Sequence, residues 1–412
     1  MLNLTAPLFL TLLGPLAGLP STPSVSDDFS WPQWDGPQLN GISREKAWAS
    51  EGQEANLWEL PVGMGYSAVA VQDGRLYTMG YDKDGGVDII WCVDAMTGEE
   101  RWTQSYPCKI WDLAHPGGTV NTPSIDGDVV YTLNREGNLY CFDGESGDIK
   151  WHTMLMPEDN IYELEYPRWG FSAAPLVLDD ALIINCGRVI SIDKKTGEVQ
   201  WVSEDYGHAY GTATPFEFEG EQLIAVLNLR GVGIVRIEDG EQAYFHEFAG
   251  TGRGVNAATP IVIDDAIFVS SGTIPAGALL AFGDGEMVPV WQNREMANSF
   301  SGCVRMGDHL YGFDQSELKC IDLEGESKWS VRGIGNGAVT GAGDRILAMG
   351  ATGELIIAQA SAEQYKELSR VQVFDDDASY WTKPILVNGI IYCRSSKGSL
   401  VARDHRQTSD KE

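Results

Sequence analysis

The sequence is poor in basic residues. Lys and Arg number 29 against 59 Asp and Glu, and there are 6 His, which gives a formal net charge of −30. Binding of duplex or single-stranded nucleic acid depends on Lys and Arg that neutralise phosphates, so we expect no nucleic-acid partner. The acidic residues are scattered through predicted turns, which is typical of solvated loops that keep a protein soluble. A cationic ligand, Ca²⁺ or a basic partner is the alternative interpretation.

The sequence also lacks the motifs of several catalytic and metal sites. Its seven cysteines include no C-x-x-C and no Cys/His cluster with zinc-like spacing. It has no Gly-rich phosphate loop before a helix, no G-x-S-x-G elbow and no H-E-x-x-H motif. We therefore predict no metal site and no catalytic residue.

Long hydrophobic runs are missing apart from one apolar stretch from about Leu8 to Leu19. This stretch is short and contains Pro15, so a permanent membrane span is disfavoured, and the small and Pro-rich residues after it are typical of an export signal. No Lys or Arg precedes Arg44, which a misassigned start codon would explain. We predict a signal peptide over residues 1–24, no transmembrane span after its removal, and a periplasmic or extracellular location.

What the sequence does contain is a repeated phrase that ends in tryptophan. The stretches "IWCVDAMTGEERW", "LYCFDGESGDIKW" and "VISIDKKTGEVQW" share the form Asp-x-x-(Thr/Ser)-Gly-x-x-x-Trp and end at Trp102, Trp151 and Trp201. Their period of about 50 residues falls in the range of propeller blades. In this form the Asp accepts hydrogen bonds from the turn, the Gly supplies a positive φ, and the Trp packs between neighbouring blades. The phrase is therefore predicted to be structural and not catalytic.

Each phrase follows an alternating apolar run around an Asp-Gly-like turn, as in "NTPSIDGDVVYTL" and "TKPILVNGIIYC", which is a strong hairpin signal. One repeat is thus two hairpins, or four strands. Counting the copies predicts an all-β, eight-bladed β-propeller over residues 56–406, with seven blades as the alternative because the copies at Phe245 and Leu368 are degenerate. The last copy lacks an outer strand, and the segment from Asn56 to Val62 is predicted to supply it and close the ring.

The remaining segments are assigned from composition. Residues 25–55 are rich in Trp, Pro and Gly and are predicted to pack on the outside of the propeller, and residues 407–412 to form a disordered tail. Cys92, Cys141 and Cys320 occupy the small position two residues before the Asp of their copies. Equivalent positions on successive blades do not face one another, so we predict buried free thiols and not disulfides. We expect a monomer.

The Trp-ending copies resemble the tryptophan-docking repeats of the bacterial pyrroloquinoline-quinone (PQQ)-like propeller family. This family includes the quinoprotein dehydrogenases and the non-enzymatic BamB-like outer-membrane assembly lipoproteins. The opening "WPQWDGPQLNG" resembles the "WPQWRGP" start common in exported members, and the resemblance covers about residues 31 to 406. It implies the propeller fold and leaves two functions to compare.

The resemblance implies different residues for the two functions. The dehydrogenases carry a vicinal Cys-Cys disulfide under PQQ and hold Ca²⁺ with Glu, Asn and Asp, whereas this chain has no Cys-Cys pair and no set that we can match to the Ca²⁺ ligands. The lipoproteins carry an N-terminal lipobox Cys, whereas the first Cys here is Cys92. We predict a non-enzymatic scaffold or binding module of the cell envelope without cofactor. A PQQ-dependent alcohol or sugar dehydrogenase with PQQ and Ca²⁺ is the alternative.

Binding is predicted at the channel mouth, which is built by the loops that lead into the innermost strands. We call these the mouth loops. Three of them, "KIWDLAHPGGT", "NIYELEYPRWG" and "DYGHAYG", are longer or richer than hairpin geometry requires. Alignment of the mouth loops puts Tyr66, Thr119, Phe171, Gly211, Asn256, Ser299, Asn336 and Tyr380 at equivalent positions around the mouth. The predicted binding residues for a protein partner or a small polar ligand are Trp111, His115, Glu163, Arg168, Trp169, His208, Tyr210, Asn256 and Tyr380.

Arg168 and Trp169 are expected to contribute most, since Arg and Trp dominate the energetics of many interfaces. The alternative is that the aromatic residues only plug the channel while the charges are solvated.

Overall fold

Strands alone build the fold of this protein. The computed structural model describes residues 29–110, 112, 115–208, 210–248, 255–272, 276–283 and 285–407. Within these ranges the chain forms 33 strands and no helix, so no described helix could cross a membrane. The strands form eight sheets. The prediction of an all-β propeller with eight blades, and not seven, is confirmed.

The first half of the ring follows two short strands, β1 (Ile42–Ser43) and β2 (Trp58–Pro61). In chain order, blade 1 has β3 (Ala70–Gln72), β4 (Arg75–Asp82), β5 (Val87–Asp94) and β6 (Glu100–Pro107); blade 2 has β7 (Ser124–Asp126), β8 (Val129–Leu133), β9 (Asn138–Asp143) and β10 (Ile149–Met154); blade 3 has β11 (Leu176–Val177), β12 (Ala181–Asn185), β13 (Val189–Asp193) and β14 (Val199–Val202); blade 4 has β15 (Thr214–Phe218), β16 (Glu221–Leu227), β17 (Gly231–Arg236) and β18 (Gln242–Glu247).

The second half repeats the same antiparallel pattern from the innermost to the outermost strand. Blade 5 has β19 (Ile261–Ile263), β20 (Ala266–Ser270), β21 (Gly277–Phe282) and β22 (Met287–Asn293); blade 6 has β23 (Val304–Met306), β24 (His309–Asp314), β25 (Glu317–Asp322) and β26 (Ser327–Val331); blade 7 has β27 (Ala338–Ala342), β28 (Arg345–Met349), β29 (Glu354–Gln359) and β30 (Glu367–Gln372); blade 8 has β31 (Ile385–Val387), β32 (Ile390–Arg394) and β33 (Ser399–Asp404).

The ring is closed by the strand that the sequence analysis assigned to this role. Strand β2 pairs antiparallel with β33, with Trp58 opposite Ala402 and Pro61 opposite Ser399. It is the outer strand of blade 8. Closure by β2 covers the edge of β33, which would otherwise present unpaired N–H and C=O groups. The prediction of a ring closed by an N-terminal strand is confirmed.

The repeated phrase holds adjacent blades together through its tryptophan. The indole N–H of Trp102 donates to the carbonyl of Gly144 in blade 2 at 3.0 Å. The same bond recurs from Trp58 to Ala95, Trp151 to Lys194, Trp201 to Ile237, Trp291 to Leu323 and Trp329 to Ser361. In each pair the acceptor lies in the turn after the third strand of the next blade. Each tryptophan therefore docks onto the following blade, as predicted.

The Asp and Gly of the phrase shape the turn on which the tryptophan docks. Asp143 Oδ1 accepts hydrogen bonds from the N–H groups of Glu145 and Ser146. Gly147 has φ +77°, and a Cβ added there would lie 2.7 Å from the ring of Trp102. Only glycine combines this backbone conformation with so close an approach of the indole.

We expect Gly147→Ala to destabilise the protein more than Gly127→Ala. Both glycines have a positive φ, but a Cβ at Gly127 would meet nothing within 4 Å, so Gly127→Ala reports the backbone strain alone. The overpacking against Trp102 should add about 1–3 kcal/mol to the loss in free energy of unfolding. Chemical denaturation of the two variants measures this difference, and equal losses would contradict it.

All seven cysteines lie within the described residues, and all are buried and free. Cys92, Cys141 and Cys320 are at most 1% exposed and belong to the apolar clusters between blades. The prediction that these three cysteines are buried packing residues is confirmed.

The N-terminal segment differs from expectation, because part of it lies inside the ring. Trp31 pairs with Val71 of β3, and the carbonyl of Pro32 accepts a hydrogen bond from the N–H of Ile125 in β7. Strand β1 pairs in parallel with β27, the innermost strand of blade 7. Trp31 is 1% exposed. Aromatic side chains bury a large apolar area, so the interior of the ring is a favourable place for this Trp-rich segment.

Candidate functional site

The channel mouth contains a cavity of about 380 Å³ on the side of the mouth loops. Its side chains come from the mouth loops of most blades and from the N-terminal segment, whose Trp34 contributes to its wall. The lining residues are Trp34, Tyr66, His115, Val120, Thr122, Trp169, Ser172, Ala174, Tyr210, Thr212, Val255, Ala257, Phe300 and Trp381. None of these described residues is an Asp, Glu, Lys or Arg.

The side chains that line the cavity mostly follow the aligned mouth positions by one residue. Tyr66 itself lines it, and neither Asn336 nor the residue after it does. At the six other positions the lining residues are Val120, Ser172, Thr212, Ala257, Phe300 and Trp381. The residues one position earlier, such as Thr119 and Phe171, are 2% and 1% exposed and are buried in the wall. Successive side chains of an extended segment point to opposite sides. The aligned loops line the cavity, and the alternation of side chains along each loop decides which of its residues faces the cavity.

Aromatic rings contact one another along one side of the cavity. Trp381 stacks on Phe300 with ring centroids 3.9 Å apart and on Tyr66 at 4.8 Å, and the interplanar angles are 17° and 14°. His115 meets Tyr66 edge-on at 5.3 Å and packs against Trp169 at 5.7 Å. These contacts fix the shape of the cavity by ring packing.

Trp34 of the N-terminal segment is held in the cavity wall by contacts with distant parts of the chain. Its indole N–H donates to Thr259 Oγ1 at 3.1 Å. The ammonium group of Lys383 lies 5.1 Å from the centroid of its ring and also forms a buried ion pair with Asp35. Since neither charged residue lines the cavity, this pair holds Trp34 from outside the cavity.

The polar groups of the wall are tied to the backbone. Thr122 Oγ1 accepts the N–H of Ala68 at 3.1 Å, and Thr212 Oγ1 accepts the N–H of Ala174 at 3.2 Å. A hydroxyl that accepts a hydrogen bond still carries a proton that it can donate. The wall thus presents a few hydroxyl donors between aromatic and aliphatic surfaces.

The titratable side chains that line the cavity are uncharged at neutral pH. Burial, and second the positive charge of Arg135, lower the pKa of His115 to about 4. Burial raises the pKa of Tyr66 and of Tyr210 above its usual value near 10. A histidine that is neutral and tyrosines that stay protonated offer hydrogen bonds but no charge.

The lowered pKa of His115 predicts a pH effect on stability. Between about pH 6.5 and 4 the unfolded chain binds a proton at His115 that the folded chain does not, so stability must fall as the pH falls through this window. His115→Phe removes the titrating group, and its loss of melting temperature between pH 7 and pH 4 should be smaller than that of the unchanged protein. Thermal melts over this range test the difference. Identical pH profiles for both proteins would contradict it.

The predicted rim residues divide into two groups. Arg168 lies over the ring of Trp169, with its guanidinium carbon 5.1 Å from the centroid, beside the cavity. Glu163 is exposed, and its Oε2 lies 3.4 Å from Arg188 Nη2. His208 Nε2 lies 4.0 Å from Glu165 Oε2. Glu163 and His208 do not line the cavity and form part of a separate polar patch between the mouth loops of blades 3 and 4.

The remaining predicted residues lie elsewhere. Asn256 is 3% exposed and bonds to the carbonyl of Asn228 and to Ser271 inside the wall. Tyr380 is 1% exposed and bonds to Asp376. Trp111 lies outside the described residues. The structure therefore brings His115, Trp169 and Tyr210 together, with Arg168 at the edge.

Sequence reasoning missed Trp34, Phe300 and Trp381 as lining residues. Phe300 and Trp381 each directly follow an aligned mouth position, in "NSFSG" and "SYWTKP", so the alignment came within one residue of them. No local pattern pointed to Trp34, since its position depends on contacts with residues far along the chain.

A buried arginine joins blade 8 to blade 1 at the seam between them. Arg394, at the end of β32, is 1% exposed and donates to the carbonyls of Ser67 and Gly63 and to Thr78 Oγ1 at 3.2, 3.0 and 2.7 Å, and also to the carbonyl of Met79. Burial lowers its pKa to about 9, so it is still protonated at neutral pH.

The geometry of the cavity favours binding over acid–base chemistry. Among the residues that the structure describes, no group of three His, Cys, Asp or Glu side chains is placed to hold a metal ion. The cavity offers ring faces, a neutral imidazole and a few hydroxyls, which are groups that recognise a ligand by shape and stacking.

Comparison with known proteins places this architecture in a family. The model of the family described as outer membrane protein assembly factor BamB matches residues 89–331, more than half of the chain. No curated protein sequence matches the chain.

Among solved structures, BamB from Moraxella catarrhalis aligns with a TM-score of 0.61 and 16% identity over 86% of this chain and 98% of its own. The quinohemoprotein alcohol dehydrogenase from Comamonas testosteroni aligns with a TM-score of 0.67 and 14% identity over 95% and 82%. A europium-containing methanol dehydrogenase gives 0.67 and 9% over 89% and 90%. At these identities the structures support the shared fold alone. On the strength of the family match, the chain belongs to the BamB-like family of PQQ-type β-propeller proteins.

Proposed function

We propose that this protein is a non-enzymatic binding module of the cell envelope that receives its ligand or protein partner at the channel mouth. One observation carries the proposal: the described lining of the mouth cavity is rich in aromatic residues and contains no charged side chain. A cavity of this kind recognises a surface or a ring and lacks the paired acid and base that most hydrolytic or proton-transfer reactions need. The description of the matched family, an assembly factor, is consistent with a protein partner.

The alternative is a PQQ-dependent oxidoreductase, because quinoprotein dehydrogenases share the fold. PQQ carries several carboxylate groups, and a buried carboxylate requires a cation or several hydrogen-bond donors. The described lining of the cavity contains no Lys or Arg, and its described surroundings contain no cluster of metal-ligating side chains for Ca²⁺. The residues present do not fit PQQ with Ca²⁺, so we derive no reaction step through this cofactor.

The location and the oligomeric state are part of the same proposal. The apolar stretch within residues 1–24 lies outside the described residues and supports export to the periplasm or the cell exterior by its composition. The closed ring, with the edge of β33 covered by β2, is consistent with a monomer.

The test of the proposed function is reconstitution of the purified protein with PQQ and Ca²⁺. We expect no quinone absorbance retained after desalting and no alcohol- or sugar-dependent reduction of an electron-accepting dye. A quinoprotein alcohol dehydrogenase treated in parallel is the positive control. Turnover by the present protein would establish the oxidoreductase and overturn the binding-module proposal.

A further inference from the structure

We propose that the mouth cavity binds one uncharged aromatic side chain, Trp, Tyr or Phe, from a partner protein. This inference rests on the proposed function and names the group that the binding module recognises. It is carried by the volume of the cavity, by the absence of charged side chains from its described lining and by the cations close to two of its rings.

The volume of the cavity suits a single ring. It is about 380 Å³, which lies at the lower end of the range for small-ligand sites, about 300–1,000 Å³. Part of its wall is Trp34, which is held by the bond to Thr259 and lies close to Lys383. One large aromatic side chain with its adjoining backbone fits such a space.

The described lining of the cavity favours an uncharged ligand over an ionic one. No described lining residue carries a charge, and His115 remains neutral because burial lowers its pKa to about 4. A carboxylate or an ammonium group placed inside would lose its hydration without gaining an ion pair from these residues.

The cations close to two of the rings distinguish an aromatic ligand from a quaternary ammonium. An aromatic box usually attracts ammonium groups through the negative faces of its rings. Here Lys383 already lies over Trp34 and Arg168 over Trp169, each 5.1 Å from the ring centroid, and neither lines the cavity. Each ring therefore already has a positive charge close to it, which weakens its attraction for a second cation. An electron-rich ring remains favourable there.

The surroundings of the opening favour a side chain that belongs to a protein. The mouth loops of blades 3 and 4 place a polar patch beside the cavity, with Glu163 and Arg188 in an ion pair and His208 near Glu165. A polar patch next to an apolar pocket matches the polar rim and apolar core of a protein interface with one central anchor. The backbone on either side of the inserted ring would contact this rim.

The test uses titration calorimetry with acetylated, amidated pentapeptides Gly-Gly-X-Gly-Gly, in which X is Trp, Leu or Lys. Aromatic pairs contribute about 0.5–1.5 kcal/mol beyond buried area, so the Trp peptide should bind about 2- to 13-fold more tightly than the Leu peptide. The Lys peptide should show no binding. Equal affinities for the three peptides, or tighter binding of the Lys peptide, would overturn the proposal.

A matched pair of variants locates the site. Ala257→Phe fills the cavity from its wall, and we expect it to weaken binding of the Trp peptide at least about tenfold, whereas Ala55→Phe adds the same ring at an exposed position outside the cavity and should leave binding unchanged. A thermal melt confirms that Ala257→Phe is folded. If it is not, Trp169→Ala, which removes a half-buried ring of the rim, takes its place. Unchanged affinity in the folded cavity variant would overturn the proposal.

Three further outcomes separate the sources of failure. If N-acetyltryptophanamide binds as tightly as the Trp peptide, the flanking backbone contributes nothing, and the cavity is a small-molecule site and not a protein-docking site. If no peptide binds while reconstitution with PQQ also fails, the present inference is wrong and the binding-module proposal stands. Turnover with PQQ would instead overturn both the binding-module proposal and the present inference.

Discussion

Arg394→Met is expected to lower the free energy of unfolding by about 3 kcal/mol or more. The guanidinium group of Arg394 is the shared donor for the carbonyls of Gly63, Ser67 and Met79 at the seam between blades 8 and 1. The carbonyl of Met79 keeps a second donor in Thr119 Oγ1, but the carbonyls of Gly63 and Ser67 lose their side-chain donor. Each buried acceptor left without a partner costs about 1–3 kcal/mol, and methionine fills much of the space without donating a hydrogen bond. Chemical denaturation measures the loss.

The matched control for this variant is Arg332→Met. Its side chain is 87% exposed and pairs with Glu317 on the surface, and exposed substitutions usually change stability by less than about 0.5 kcal/mol. A loss for Arg394→Met as small as that of the control would show that water satisfies these carbonyls and that the seam does not depend on this residue.

Lys383→Met should destabilise the protein by about 3–5 kcal/mol, because it leaves the carboxylate of Asp35 buried without its partner. The Lys383 side chain is 2% exposed and that of Asp35 is 9% exposed. Combining Lys383→Met with Asp35→Asn removes the isolated charge, and Asn tolerates the positive φ of 62° at this position. The double variant is therefore expected to be more stable than Lys383→Met alone.

The two single variants and the double variant form a mutant cycle, and denaturation of all four proteins gives the coupling energy. Simple addition of the two single losses would show that Asp35 and Lys383 do not stabilise each other. In that case the ion pair would not be what holds the N-terminal segment in the channel.

The fold was predictable because its determinants are local and repeated. The Asp, Gly and Trp of each copy lie within one turn and the following strand, so their spacing reveals the docking of Trp102 or Trp151 without knowledge of the neighbouring blade. Even ring closure left a local trace, since the last copy lacked an outer strand and the segment around Trp58 offered one.

The candidate site was predictable only to the level of loops. Alignment identified the mouth loops but selected Tyr380 and Asn256, which point into the wall, while their successors Trp381 and Ala257 line the cavity. A shift of one residue reverses the direction of a side chain in an extended segment, and no sequence pattern in these short loops sets that register. The position of Trp34 depends on long-range contacts with Thr259 and Lys383, which have no local signal at all.

The pairing of β2 with β33 also constrains the time course of folding. Strand β2 leaves the ribosome before any blade, yet its partner Ser399–Asp404 lies near the end of the chain. Blades 1 to 7 can form from consecutive strands as the chain lengthens, because each needs only near neighbours in sequence. Blade 8 cannot be completed until β33 has been synthesised, and contacts between segments as distant in sequence as β2 and β33 form slowly. Until then β2 remains an unpaired edge, so the interval before closure is when the chain is most exposed to association with other copies.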